Sequence, residues 1–155
     1  MSDRPLDTLL ARPFPSERPE PGRSTLEVQV YWRHDYLDGL ESAGRRRISV
    51  GGLRNNPLRV ELPEGMAPFT LAEIRGDRAR IRVPEGAVAG FKHEDGRVEP
   101  PVGEAVSRPI PSTLVELGLG QRLAFSLADL TFVLQFVRDH GTKQSLWERI
   151  RPKDL

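Results

Sequence analysis

The chain contains no cysteine, which excludes disulfides, thiolate metal sites and cysteine nucleophiles. That composition fits a reducing compartment. No charge sign dominates: 23 Lys and Arg face 22 Asp and Glu, for a net charge of +1. There is therefore no global field to draw in nucleic acid or a membrane surface, only room for local patches. Aromatic residues make up 6% of the chain, and they are not interleaved with cations as single-strand nucleic-acid binding requires. No apolar run approaches the roughly 20 residues of a transmembrane helix. The N-terminus, Met1-Ser2-Asp3-Arg4-Pro5, lacks a signal peptide's apolar core. Long helical periodicity is scarce too, and no segment repeats at a fixed interval. The expectation is a soluble, cytoplasmic chain.

What the chain does have is alternation. Leu26, Val28, Val30 and Trp32 fall on one side of a period-two pattern, with Glu27, Gln29 and Arg33 among the residues on the other. Ile48 and Val50 repeat that pattern, as do Ala79, Ile81 and Val83 against three arginines. It returns in Leu123, Phe125 and Leu127, and again in Phe132, Leu134 and Phe136. Period two marks strands with one face in a core. Further short strands are expected at Leu58–Leu62, Phe69–Ile74, Ala87–Lys92 and Arg97–Glu99, with Gly76-Asp77 turning a hairpin. His34–Gly44 is expected to be a loop or an irregular hairpin. The four prolines of residues 100–111 suit an edge. The last three strands, from Thr113 to Val137, form an expected meander at the closing edge. About nine to eleven short strands at roughly ten-residue spacing indicate an all-β sandwich.

Two segments fall outside this pattern. Residues 1–24 carry Pro5, Pro13, Pro15, Pro19 and Pro21, and each proline fixes φ and removes a donor. A disordered arm is expected there, with Leu9-Leu10 or Phe14 as the only docking-motif candidates. Residues 139–155 form a basic segment in which Gln144–Ile150 is the one plausible helix, short and marginal alone. The sandwich is expected over 25–138.

Catalytic chemistry finds little support. His34, His93 and His140 each sit beside acids in separate turns, and loops at opposite ends of a sandwich would not converge on a metal. No serine has a Gly-x-Ser-x-Gly context. Gly51-Gly52 lacks the helix and the Gly-Lys ending of a phosphate loop. No catalytic residue, metal or cofactor is expected. The basic cluster is different. Arg45, Arg46 and Arg47 run into the second strand, and Arg54, Asn55 and Asn56 lie in the turn after it. Guanidiniums pair bidentately with carboxylate or phosphate, so these six residues, if gathered on one loop rim, could hold an acidic or phosphorylated peptide. The competing reading is a solvated sheet edge protected from aggregation.

In this order the features resemble a forkhead-associated (FHA) domain, an all-β sandwich of about eleven strands that reads phosphothreonine peptides through its loops. Ile48-Ser49-Val50-Gly51-Gly52 followed by Arg54-Asn55-Asn56-Pro57-Leu58 resembles the opening signature of that family. The closing Phe132–Phe136 strand resembles its end, so the likeness spans about residues 25–138. Gly52 stands where the family has an arginine. No Ser-Arg-x-His segment occurs in Pro63–Phe69, and the later Asn-Gly-Thr turn is absent. The resemblance therefore implies the fold with a degenerate phosphothreonine site, and only the Arg54-Asn55-Asn56 turn carries over.

A closer likeness is to the degenerate FHA-like N-terminal cytoplasmic domains of myxobacterial-type envelope proteins, whose TonB-like or FecR-like parts lie beyond a membrane span. Val28–Trp32 and the segment Leu146-Trp147-Glu148-Arg149-Ile150-Arg151-Pro152-Lys153 carry it. Tryptophan and cations suit the cytoplasmic headgroup region, so this likeness implies a place at the inner face of the inner membrane. The expected function is a non-enzymatic interaction or scaffold module for a protein or acidic peptide. The alternatives are a small β-sandwich enzyme or carbohydrate-binding module, and a structural assembly subunit. Tyr31, Tyr36 and Trp147 are the only spare aromatics, too few for a sugar platform.

Overall fold

The computed structural model describes residues 4–52, 56–102 and 112–139. His140, Arg54, Asn55 and the expected Gln144–Ile150 helix lie outside the described residues. Among the described residues the elements are a helix, α1 (Pro5–Ala11), and eleven strands. These are β1 (Ser24–Trp32), β2 (Asp35–Glu41), β3 (Arg47–Gly51), β4 (Leu58–Arg59), β5 (Phe69–Arg75) and β6 (Arg78–Val83). They continue with β7 (Val88–Lys92), β8 (Val98–Val102), β9 (Thr113–Leu117), β10 (Arg122–Leu127) and β11 (Leu130–Arg138). Six strands form one sheet in the order β2-β1-β11-β10-β7-β8, and five form the other in the order β4-β3-β5-β6-β9. The fold is an all-β sandwich.

The alternating side chains meet between the sheets. Leu26, Val28, Val30, Ile48, Val50, Ile81, Val83, Phe125, Phe132 and Leu134 are all fully buried in one cluster. Phe125 stands opposite Phe132 in the β10–β11 ladder, and their rings stack at 4.9 Å. Such a pair adds about 0.5–1.5 kcal/mol beyond the area it buries. Ala128 turns this hairpin with a left-handed φ of 51°.

Two expectations change, and one resolves between its alternatives. The last three strands are not a meander at an edge. β9 pairs with β6 in the five-stranded sheet, and the chain then crosses to β10. β11 is central, between β1 and β10. Its second face explains this: Thr131, Val133 and Gln135 are buried as well as Phe132 and Leu134, so the strand needs cover on both sides. Of the two readings of His34–Gly44, the irregular hairpin is the one found: β2 pairs with β1 around a bulge at Val30/Tyr31. Gly39 is required there, because a Cβ would run into the Tyr36 hydroxyl and the Val28 carbonyl.

The second correction concerns the arm, which from Arg4 onward is ordered against the sandwich. Pro5 sits at the start of α1, where its missing donor costs nothing. The Arg4 guanidinium pairs with Asp7 at 3.0 Å. Leu6, Leu9 and Leu10 share one helical face and are buried against Tyr31, Ala124 and Val133 on the outer face of the six-stranded sheet. Seven residues are too few for a stable isolated helix, so tertiary contacts hold it. Arg122, 3% exposed, donates to the carbonyls of Leu9, Leu10 and Arg12 at 3.0, 3.1 and 2.7 Å. Its Nε donates to Gln135 at 2.8 Å. Burial, and then the charge of Arg12, lower the Arg122 pKa. Phe14 lies beside both Lys92 and Arg122, with centroid distances of 4.7 and 5.0 Å. The Leu9-Leu10 and Phe14 motifs are thus used inside the fold. Tyr31 is not spare either: it is buried, accepts from Arg12 and donates to Gln29.

Candidate functional site

The register defines two ends. At the first, Trp32 and the β10–β11 turn lie together, since Trp32 is opposite Leu130. At the second, Ser24 is opposite Arg138, and the β2–β3 and β5–β6 connections come together around a concavity of about 690 Å³.

The arginine run sits at this second end, on a segment held firmly from below. The buried Ser42 hydroxyl lies 3.0 Å from the Thr25 hydroxyl and accepts the Leu26 N–H at 3.0 Å. The Thr25 hydroxyl accepts the Ala43 N–H at 2.9 Å. The Arg45 N–H returns to the Ser42 carbonyl at 2.8 Å, and the Ile74 N–H donates to the Arg46 carbonyl at 2.8 Å. Ala43 and Gly44 adopt left-handed φ values of 47° and 87° to make the turn. The backbone is therefore anchored, while the side chains of Arg45, Arg46 and Arg47 project into solvent.

Arg75 comes from the neighbouring strand and lines the same concavity. Among the described residues, none of these four guanidiniums has an ion-pair partner within 4 Å. Glu73 stands opposite Arg47 in the ladder. The nearby Asp77 carboxylate is occupied, accepting from the Gly22 N–H at 2.9 Å and the Ser24 hydroxyl at 2.6 Å. Four cations around a concave surface with one facing carboxylate favour an anionic ligand.

The expected single rim does not form from the described residues. Asn56 lies at the other end of β3, buried beside Gly51, where an added Cβ would sit 2.9 Å from its amide nitrogen. Four steps of β3 separate Gly51 from Arg47, about 13 Å at the usual strand rise. Arg54 and Asn55 fall outside the described residues. Sequence reasoning missed Arg75. Its only signal was its place before the Gly76-Asp77 turn, and the β3–β5 pairing that brings it to the run is a long-range choice.

No protein-family model, curated protein or solved structure matches the chain.

Other chemistry is sparse among the described residues. They contain no group of three acids or histidines able to hold a metal. His34 lies in the β1–β2 turn at the Trp32 end. His93 lies at the far end, its Nε2 2.7 Å from Glu99. No described helix is long and apolar enough to cross a membrane. The surface around Arg45–Arg47 and Arg75 offers charge and bidentate geometry, and the two serine hydroxyls that line it are engaged: Ser42 with Thr25 and the Leu26 N–H, and Ser24 with Asp77.

Proposed function

We propose that this chain is a non-enzymatic protein-interaction module whose Arg45 end holds an acidic segment of a partner protein. One observation carries the reading: Arg45, Arg46, Arg47 and Arg75 surround a single concavity without ion-pair partners among the described residues. Arginines that only guarded a sheet edge would be expected to find carboxylates, as Arg78 and Arg80 do with Glu116 on the same sheet. Eleven strands in two layers support the FHA-like reading, and Gly52 in place of the signature arginine supports a degenerate phosphothreonine site. Residence at the inner face of the inner membrane belongs to the same proposal and rests on the Leu146–Lys153 segment.

Titration with a hexa-glutamate peptide tests it. Binding is expected to weaken with added salt and to fall at least about tenfold when Arg45, Arg46 and Arg47 are replaced by Glu, with an unchanged melting temperature. A phosphothreonine peptide is expected to bind no better than a glutamate peptide of equal charge. Equal binding of parent and triple variant rejects the surface. A strong, phosphate-specific affinity rejects the degenerate site.

A further inference from the structure

We infer that the Trp32 end carries a second docking site, which takes a basic segment of a partner protein bearing one bulky apolar side chain. A groove of about 1060 Å³ lies there between the β1–β2 hairpin, the chain after β4 and the β10–β11 turn. Its apolar surface is unusual for this molecule. Five large hydrophobic side chains are exposed among the described residues, and three of them, Trp32, Tyr36 and Leu37, belong to this one hairpin. Trp32 (43% exposed) and Leu37 (49% exposed) line the groove with Leu62 and Leu130. Exposed apolar surface concentrated in a concavity and ringed by polar groups marks a binding surface.

The rim decides what fits. Asp38, Glu61, Glu64 and Asp129 face a single lining cation, Arg59. Asp129 is partly engaged by Arg33 at 3.6 Å. Glu61 and Glu64 are exposed and make no ion pair among the described residues. The field is negative. An acidic or phosphorylated ligand would be repelled here. The chain's own arginine end could satisfy the acids, but its concavity contains no exposed large hydrophobic side chain to cover Trp32 and Leu37. Charge and shape together therefore select a segment with Lys or Arg on either side of an apolar anchor, which the arginine end of a second copy does not supply. The site is independent of the arginine cluster.

The test uses the full chain with Trp147→Phe, which leaves Trp32 as the only tryptophan. A Lys-Lys-Leu-Lys-Lys peptide is titrated against a Glu-Glu-Leu-Glu-Glu twin while Trp32 fluorescence is followed. The basic peptide is expected to bind at least about tenfold tighter than its twin. Glu61→Lys with Glu64→Lys is expected to invert that order, and Leu37→Ala to weaken the basic peptide about tenfold. Arg45→Glu with Arg47→Glu should change nothing, which separates this site from the first. Equal affinities, an order unmoved by the charge reversal, or no response of Trp32 would overturn the inference. So would a concentration-dependent dimer in sedimentation that Leu37→Ala abolishes, since the occupant would then be a second copy. Exposed surface positions tolerate such changes, and an unaltered melting temperature confirms that each variant is folded.

Discussion

On the outer face of the six-stranded sheet, Tyr31, Ala124 and Val133 lie beneath Leu6, Leu9 and Leu10. On the outer face of the five-stranded sheet, the register sets Arg47 against Glu73, Glu73 against Arg80, and Arg80 against Glu116. Both faces follow the same period-two rule, and only the chemistry of the outward residues differs. Where those residues are apolar, or polar and able to reach a carbonyl, the chain folds its own N-terminal segment over them. Where they are alternating charges, water covers them, and opposite-sign neighbours in each row keep the sheet edge-compatible without much net energy. One face therefore adds to stability, while the other remains available for recognition at its Arg45 margin.

The strongest way to break this contrast is to strip the covering helix. Leu6→Ala with Leu10→Ala is expected to cost about 5 kcal/mol, since each fully buried leucine is worth about 2–5 when truncated; urea unfolding followed by circular dichroism measures it. Arg122→Ala takes the guanidinium donor from the Leu9, Leu10 and Pro13 carbonyls and from Gln135, while Lys92 still donates to the Arg12 carbonyl; it should cost about 3 kcal/mol, with faster amide exchange confined to residues 5–14. On the charged face, Arg80→Ala is expected to change stability by less than about 0.5 kcal/mol, a difference thermal melts in parallel would resolve. The smallest effect is one of pH. Burial, and secondarily Arg122, lower the Lys92 pKa, so the unfolded chain keeps this proton to higher pH than the folded one. The folded state then gains stability as pH rises from the lowered value to the ordinary lysine value, and the gain is complete above it. Lys92→Met removes that upward slope. Paired urea titrations across the alkaline range that show identical slopes for both proteins would rule it out.

The strands were readable because alternation is a local property. Arg78–Val83 and Phe69–Ile74 were expected nearly where β6 and β5 lie. The helix was readable in part: Pro5 followed by Leu6, Leu9 and Leu10 is an N1 proline with an i, i+3, i+4 stripe. It was obscured by the prolines after it, which forbid helix without forbidding order. Those prolines let the segment run extended, so that Phe14 reaches Lys92 and Arg122. Arg122 read as an outward strand residue, which it is. That its outward direction is buried depends on the N-terminal helix and the residue after it, Arg12, which lies 110 positions earlier. At the candidate site the run Arg45–Arg47 was visible as composition, while Arg75 and the separation from Asn56 were not, because both follow from strand order.

The residues alone determined most of the strand segments and most of the side chains that each turns toward the core, Trp32 being an exception at 43% exposed. These follow from backbone geometry and hydropathy within a few neighbours. Only the packed molecule decided that β9 and β10 belong to different sheets and that the proline-rich start is a lid on one of them. It also set four guanidiniums at one end and an acid-rimmed apolar groove at the other. Each of those outcomes depends on contacts between segments far apart in the chain, where many pairings satisfy the same local pattern and mutual burial selects one.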